Sequence, residues 1–462
     1  MTGGGRVHFV GIGGIGMSGL ADILISRGTS VSGSDLKTNS ITDKLEKKGA
    51  LIKKGHHAAN VPADTSLMVV SFCIDEANPE VQVAQEKGIP IIIRSELLKN
   101  VLSTADTSVV VTGTHGKTTT SALVASIMEF CGEDPTVIVG GEMERFGSNS
   151  KTGREDLIVA ELDESDSFFR NDRVTHAIVT NLEREHMENY GTFENLLAAY
   201  TEFIMRIPET GMLAYNADDP ALSGIVGGVK AKKIPFGMKY RKGIRYSCDD
   251  VTCAKVISFD LLRSGKAIAR VENENVIGLH NVMNMTAAAG LCIEMGLDVD
   301  SVIEAISRFK NVRRRFDLVG EAGGVEIRED YAHHPTELSA VIKAAREYSD
   351  GRVIAVFQPH RHSRTNDLAD EFVRCFEGAD VLIATEIYSA HEKKTEGIGI
   401  KEILDRMDAK KFSLIKMLSK EKIAEYVSGI VEKNDVVLIL GAGDIREISL
   451  PMLDLVKKKF AV

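Results

Sequence analysis

The chain has 462 residues, of which 44% are hydrophobic and 26% charged, and its formal net charge is −10. That length is more than one hydrophobic core supports, so two or three domains are expected, and the composition is that of a globular protein. No basic block offers a footprint for nucleic acid, no apolar run reaches 18 residues and no hydrophobic leader opens the chain; a cytoplasmic protein without nucleic-acid partner or membrane insertion is expected.

Residues 7–10 read as a short buried strand. They run into GIGGIG at 11–16, a helix pattern to residue 27, and a second strand over 30–33 that leads to Asp35. Strand, glycine turn, helix and acid in that order let a doubly wound sheet bring its backbone to a diphosphate. Taken alone, Gly11, Gly13, Gly14, Gly16 and Asp35 equally mark an NAD-dependent dehydrogenase. Residues 89–93 read as a further strand and 96–102 as an amphipathic helix. The polar stretch 103–107 is a first domain boundary. The six cysteines, at 73, 131, 248, 253, 292 and 375, make no paired zinc spacing and are expected as free thiols.

Residues 109–120 read VVVTGTHGKTTT. Three valines suit a buried parallel strand, 113–116 a tight loop, and Lys117 opens an apolar helix through 131. Such a loop turns backbone N–H groups and the positive end of a helix toward an anion. Lys117 supplies a point charge for β- and γ-phosphates, and Thr118 a hydroxyl for Mg²⁺. Only two residues separate the glycines, against four in the common phosphate loop; the plainer alternative is a strand–helix turn with a solvated lysine.

A strand at 157–160 leads to Glu161, with Asp163, Glu164 and Asp166 following, and a strand at 177–180 leads to NLEREH at 181–186. Carboxylates at strand ends beside a phosphate loop sit where Mg²⁺ ligands are found. A helix-capping acid and a packed loop histidine are the alternatives for Glu161 and His186. Residues 192–206 form an amphipathic helix and 211–215 a strand, and 238–275 read as short antiparallel strands at a sheet edge. A helix opens near 278 with Asn281 and Asn284 three apart on one face, and another covers 299–309.

Arg313, Arg314 and Arg315 make the sharpest basic cluster, at an expected domain boundary. A strand at 325–328 leads to EDYAHH at 329–334, and Pro335 opens a helix. A strand at 353–357 delivers QPHRHSR at 358–364, in which Arg361 and Arg364 present two forks to carboxylates. Strands at 381–385 and 436–440 complete a third α/β unit. Pro451 is expected to kink or shorten the last helix.

The form TGTHGKTTT, read with GIGGIGMSG at 11–19, Gly55-His56, VVSFCIDEANPEV at 69–81, NLEREHM at 181–187, GLHNVMN at 278–284, RRF at 314–316 and FQPHRHSRT at 357–365, resembles the Mur ligase family over nearly the whole chain. The resemblance implies an α/β protein of three domains. These are an N-terminal Rossmann-like domain for a UDP sugar (1–104), a central P-loop-type ATPase domain (105–312), and a C-terminal Rossmann-like domain for the amino acid that closes on ATP (313–462). It implies an ATP-dependent, ADP-forming amide ligase that joins L-alanine to UDP-N-acetylmuramate through an acyl phosphate.

The same resemblance assigns the UDP sugar to Gly11, Gly13, Gly14, Gly16, Asp35, His56 and Ser71. It assigns ATP to Gly113, Thr114, His115, Gly116, Lys117, Thr118, Thr119, His280, Asn281, Asn284, Arg315 and Asp330. Two Mg²⁺ ions are implied, one at Thr118 and Glu161, the other at Glu161 and His186. Tyr331, His333, His360, Arg361 and Arg364 fall to the amino acid and the muramoyl side. Lys117, His186, Arg315 and His333 are the catalytic candidates; His333, His360 or a route through water can take the amine's proton. Phe72, Glu185, Glu329 and His362 depart from the family's usual residues. A ligase that adds a peptide, and a nucleotide-dependent dehydrogenase, remain as alternatives.

Overall fold

A computed structural model of the chain describes residues 5–71, 73–165, 174–390, 392 and 397–461. Phe72 and Asp166, named above, lie outside the described residues, as do His391 and Lys393 in the loop that follows the strand at 381–385. The chain forms two compact units. One is Met1–Asp249 with Asp260–Arg270 and Met283–Phe309; the other is Asp250–Phe259 with Val271–Val282 and Lys310–Val462.

The first unit holds a five-stranded parallel sheet made of β1 (Arg6–Val10), β2 (Val31–Asp35), β3 (Leu51–Lys54), β4 (Thr65–Val70) and β5 (Ile91–Ile93), in the order β3-β2-β1-β4-β5. The order reverses between β1 and β4, the place where open α/β sheets bind ligands beyond their strand ends. Gly11 follows β1 and Ser71 follows β4, and the Ser71 N–H donates to the Val10 carbonyl at 3.1 Å. The two predicted binding segments therefore meet at that reversal.

The next sheet has ten strands in the order β15-β14-β13-β12-β11-β10-β6-β9-β7-β8. They are β6 (Thr107–Thr112), β7 (Pro135–Met143), β8 (Ser148–Lys151), β9 (Arg154–Glu161), β10 (His176–Val179), β11 (Met212–Asn216), β12 (Lys232–Gly237), β13 (Tyr246–Cys253), β14 (Ile257–Arg263) and β15 (Lys266–Asn273). β6 lies between β9 and β10, with Val111 opposite Glu161 and Thr112 opposite Val179. The phosphate loop, Glu161 and Asn181 thus leave the sheet side by side at its carboxyl edge. Valines 109–111 are fully buried because helices cover both faces of a parallel sheet. The expected edge of antiparallel strands needs one correction. β13 joins β12 in parallel, Phe236 opposite Tyr246, because an eight-residue loop separates them and the chain crosses back before pairing.

The second unit is built on a six-stranded sheet of β16 (Asp317–Ala322), β17 (Val325–Asp330), β18 (Val353–Phe357), β19 (Val381–Ala384), β20 (Leu414–Met417) and β21 (Val436–Leu440), ordered β16-β17-β21-β18-β19-β20. Its central strands are apolar on both faces. Val353, Ala355 and Phe357 enter one core, and Ile354 and Val356 the other. Pro451 neither kinks nor shortens the last helix. That helix runs Ser449–Phe460, so the proline stands in its first turn, where the missing N–H has no partner to lose. Among the described residues no helix is long and apolar enough to cross a membrane, and the six cysteines are free.

Candidate active site

At the first glycine loop, backbone groups are already organised. The N–H groups of Gly11 and Ile12 donate to the Ser34 carbonyl at 2.8 and 3.0 Å. The Gly13 N–H donates to Asp35 Oδ2 at 2.9 Å. Asp35, expected beside the ligand, therefore also ties the loop to β2. Gly14 caps the helix Ile15–Ser26, and Gly16 lies in its first turn. His56 stands against Ser34, Nδ1 to Oγ 2.9 Å.

The second loop is clasped from β10. The Thr114 N–H donates to the Asn181 carbonyl at 2.9 Å, and the His115 N–H to Asn181 Oδ1 at 2.8 Å. The Glu183 N–H donates to Thr114 Oγ1 at 2.8 Å, and Glu183 lies 3.5 Å from His115 Nε2. Gly116 caps the helix Lys117–Phe130 in a left-handed conformation, φ 80°. The backbone favours glycine there, and a Cβ would lie 2.7 Å from Asn284 Oδ1, so the end of that side chain would have to shift. Thr118 and Thr119 are buried in the helix's first turn.

Lys117 turns back over its own loop. Nζ donates to the carbonyls of Gly113 (2.6 Å) and Thr114 (3.2 Å) and to Glu164 Oε2 (2.8 Å). Burial alone would depress this ammonium, yet Glu164, Asp163 and Glu161 hold it well above the usual lysine range. Burial pushes the Glu164 carboxyl up, with Lys117 opposing. Asp163 is the reverse case: Lys117 and His186 outweigh burial and hold it well below the usual range.

Asp163, Glu164 and His186 bring one ligand atom each within 4.8 Å of one another. Glu164 Oε1 is buried and has no hydrogen-bond partner among the described residues. Two carboxylates and an imidazole suit a divalent cation of the Mg²⁺ or Mn²⁺ class. Glu161 ends β9 as expected, but its Oε2 accepts the Gly140 N–H at 2.8 Å. His186 adopts φ 56°, a conformation held here against its intrinsic cost.

In the second unit the remaining candidates gather at the carboxyl ends of β17, β18 and β21. Asp330 is buried; it accepts the N–H groups of Phe316 (2.8 Å) and Ala332 (2.7 Å). Burial nonetheless pushes its carboxyl up to about 6, with Arg315 opposing. The Arg314 and Arg315 guanidiniums face the Tyr331 ring at 4.7 and 5.4 Å from its centroid. His333 Nδ1 lies 3.0 Å from the Tyr331 carbonyl and 3.4 Å from Glu337. A carbonyl only accepts, so Nδ1 carries the hydrogen and Nε2 is the basic atom.

The His360 ring stacks on Tyr388 and faces His333. Burial, followed by His333, Arg364 and Arg361, lowers it to about 3, so it stays neutral. Arg364 is buried and donates to the His360 carbonyl at 3.1 Å. Arg361 pairs with Glu392 at 2.9 Å, so one of the two expected forks already holds a carboxylate. Asn281 and Asn284 share the helix Leu279–Glu294, as expected; Asn281 donates its amide to the Ile277 carbonyl ahead of that helix at 2.7 Å, beside His280. Burial and Arg315 lower His280 to about 4.

Profiles of the Mur ligase family cover most of the chain: the catalytic domain matches residues 6–105, the middle domain 111–292 and the glutamate ligase domain 314–443. The chain belongs to the Mur ligase family. Among curated relatives, the UDP-N-acetylmuramate–L-alanine ligase of Jannaschia sp. (strain CCS1) is 40% identical over 454 residues, 96% of this chain and 93% of its own length. That of Aquifex aeolicus (strain VF5) is 37% identical, with 95% of each chain covered. The crystal structure of the UDP-N-acetylmuramate–alanine ligase from Thermotoga maritima superposes with a TM-score of 0.84 at 28% identity, covering 98% of this chain and all of the other. A murein peptide ligase from Psychrobacter arcticus shares the fold, TM-score 0.74 at 22% identity, with 98% and 99% of the chains covered. The three-part α/β architecture expected from the sequence is that of this Mur ligase fold.

The structure adds residues that motif reading passed over. Glu164 pairs with Lys117, Asp163 joins His186, Asn181 and Glu183 clasp the phosphate loop, and Glu80 collects donors behind the first glycine loop. The acidic run after β9 was the available signal for the first two. Asn181 and Glu80 are revealed only by strand neighbours.

Proposed function

We infer that this Mur ligase joins L-alanine to the lactyl carboxylate of UDP-N-acetylmuramate, converting ATP to ADP and phosphate through an acyl phosphate. The observation that carries this reading is the cradle of Lys117. A half-buried ammonium is held over a glycine loop and faces a cluster of two carboxylates and a histidine. The near full-length similarity to relatives named UDP-N-acetylmuramate–L-alanine ligases supports these substrates.

A carboxylate is a poor acyl donor. Its oxygen attacks the γ-phosphorus of ATP, the bond to ADP breaks, and the acyl phosphate then offers phosphate as leaving group. Lys117 is assigned to the charge on the transferring phosphoryl group, together with Arg315. Asp163, Glu164 and His186 would hold a divalent cation, and Thr118 with Glu161 a second; such ions offset the repulsion between γ-phosphate and carboxylate. Gly11, Gly13, Gly14, Gly16, Asp35, His56 and Ser71 are assigned to the nucleotide sugar. His280, Asn281, Asn284 and Asp330 are assigned to ATP.

In the second step the alanine amine attacks the acyl carbon, the bond to phosphate breaks, and the nitrogen loses a proton. His333 suits that proton better than His360. Its Nδ1–H is fixed on a carbonyl with Glu337 beside it, so a proton gained at Nε2 makes a cation that a carboxylate stabilises. His360, held near 3, is too weak a base. Arg364 and Arg361 are assigned to carboxylates of the substrates.

The experiment is phosphate release with ATP, Mg²⁺ and UDP-N-acetylmuramate, compared across alanine, glycine, serine and an acidic tripeptide. Alanine is expected to give the highest kcat/KM. Turnover with the tripeptide and none with alanine would replace this reading with a peptide ligase.

A further inference from the structure

Behind the first glycine loop lies a hydrogen-bond network centred on Glu80, whose side chain is fully buried. Four donors converge on its two oxygens. His8 Nε2 (3.0 Å) and Ser34 Oγ (2.7 Å) meet Oε2; the His57 N–H (3.0 Å) and Asn60 Nδ2 (2.7 Å) meet Oε1. Burial favours the protonated carboxyl, but these four donors together hold Glu80 below the usual range, so it is ionised and only accepts.

That fixes the hydrogens further out. Ser34 has one hydroxyl hydrogen and gives it to Glu80. Its oxygen, 2.9 Å from His56 Nδ1, can therefore only accept there. His56 must carry its hydrogen on Nδ1, leaving Nε2 as a lone-pair acceptor. Resting on the assignment of His56 to the nucleotide sugar, we propose that Glu80 is a positioning residue: through Ser34 it sets the His56 tautomer, and His56 Nε2 then selects a ligand that offers a hydrogen-bond donor. In a uridine nucleotide two sources have that chemistry, the N3–H of the base and the ribose hydroxyls.

The geometry also says how to reverse it. In Glu80→Gln the amide oxygen has to face His57 and Asn60, both of which donate. The amide NH₂ then faces both Ser34 Oγ and His8 Nε2 and donates to each, His8 moving its hydrogen to Nδ1, where the Ser32 hydroxyl accepts it. The serine hydrogen is released toward His56 Nδ1, and His56 switches to the Nε2–H form, presenting a donor to a donor. Removing the serine hydroxyl in Ser34→Ala takes away the hydrogen bond that enforces the His56 tautomer and leaves only the Glu80 carboxylate, 3.7 Å from Nδ1 and beyond hydrogen-bond distance.

The test uses the full chain with ¹⁵N-labelled histidine and two-bond ¹H–¹⁵N spectra, with UDP titrated alongside. Expected are an Nδ1–H His56 in the parent and an Nε2–H His56 in Glu80→Gln. UDP binding and KM for the nucleotide sugar should weaken by about tenfold or more, and kcat should change less than twofold. Binding of N3-methyl-UDP, 2′-deoxy-UDP and 3′-deoxy-UDP identifies the donor as the analogue that loses the parent's advantage over Glu80→Gln. If Glu80→Gln unfolds, Ser34→Ala carries the test, with loss of the single tautomer expected. An Nε2–H His56 in the parent, or a tautomer that Glu80→Gln and Ser34→Ala leave unchanged, overturns the role of Glu80. Equal binding of all three analogues and UDP overturns the ligand contact. Failure of UDP to bind at all overturns instead the assignment of the glycine loop, independently of the tautomer.

Discussion

Lys117 Nζ stands 2.8 Å from Glu164 Oε2, on an acid that is 1% exposed, and the same nitrogen closes on two carbonyls of its own loop. The lysine is held in place by protein groups alone, and its charge is matched by a buried carboxylate. Lys117→Met is expected to lower phosphate release by at least about a thousandfold. It also strands Glu164 without its cation, which costs on the order of 3 kcal/mol of stability. Adding Glu164→Gln should restore most of that stability and none of the activity. Urea unfolding and phosphate release on the single and double variants check both halves.

Asp163, Glu164 and His186 make a donor set that could hold a divalent cation. Chelation should abolish turnover, and Mg²⁺ should restore it. Asp163→Asn and His186→Gln are expected to raise the Mg²⁺ concentration for half-maximal rate by about ten- to a hundredfold, in line with the loss of one ligand. A steady-state titration of Mg²⁺ at saturating ATP measures this.

Gly116 sits at φ 80°, and a methyl group there would press on Asn284 Oδ1 at 2.7 Å. Gly116→Ala is expected to cost about 1–2 kcal/mol from the backbone alone and to weaken ATP binding further by displacing the loop or Asn284. Pairing it with Asn284→Ser removes the clash, and Asn284→Ser alone reports what the asparagine itself gives to ATP. Calorimetric ATP titration and thermal unfolding of the two single variants and the double variant separate the contributions.

Local pattern carried much of the fold. Three valines before a glycine loop, and apolar strands alternating with helices, follow from period and turn chemistry within one segment. The site was legible where one segment supplies the chemistry, as with Lys117 after its loop. It was not legible where strand neighbours supply it. Asn181 holds His115 because β10 lies beside β6, and Glu80 meets His8 across 72 residues of chain. Nor does residue type reveal the left-handed backbone at His186, Arg314, Phe316 and Arg361, which depends on what surrounds each. Asn281 and Asn284 lie three apart in the helix Leu279–Glu294 and both are buried, as their spacing suggested; that Asn281 also donates to the Ile277 carbonyl is a contact spacing does not reveal.

Glu294 ends the helix Leu279–Glu294 with its side chain buried, and collects Lys232, Arg245, Arg263 and the Tyr246 hydroxyl. Burial raises its carboxyl, but these partners prevail and hold it at about 2, below its ordinary 4.5. A depressed carboxyl contributes stability that is full above the unfolded value and lost as pH falls through the folded one. The contribution, on the order of 3 kcal/mol, should be constant above about pH 5 and disappear between about 4.5 and 2. Urea unfolding of the parent and Glu294→Gln across that range is expected to show the difference closing as the solution becomes more acidic.

The tautomer of His333 sets the last prediction. Its Nδ1–H rests on the Tyr331 carbonyl and its basic atom is Nε2, while neighbouring His360 is kept neutral by burial, by His333 and by Arg364, Arg361 and Arg314. If His333 takes the proton from the alanine amine, His333→Asn slows amide formation by about a hundredfold or more and leaves formation of the acyl phosphate intact. His360→Asn should cost far less. Hydroxylamine separates the steps, because it attacks an acyl phosphate without needing a base. In His333→Asn the hydroxamate should form at nearly the parental rate while alanine reacts slowly. Equal slowing with both nucleophiles would move His333 from the second step to the first, where phosphorylation of the carboxylate is made.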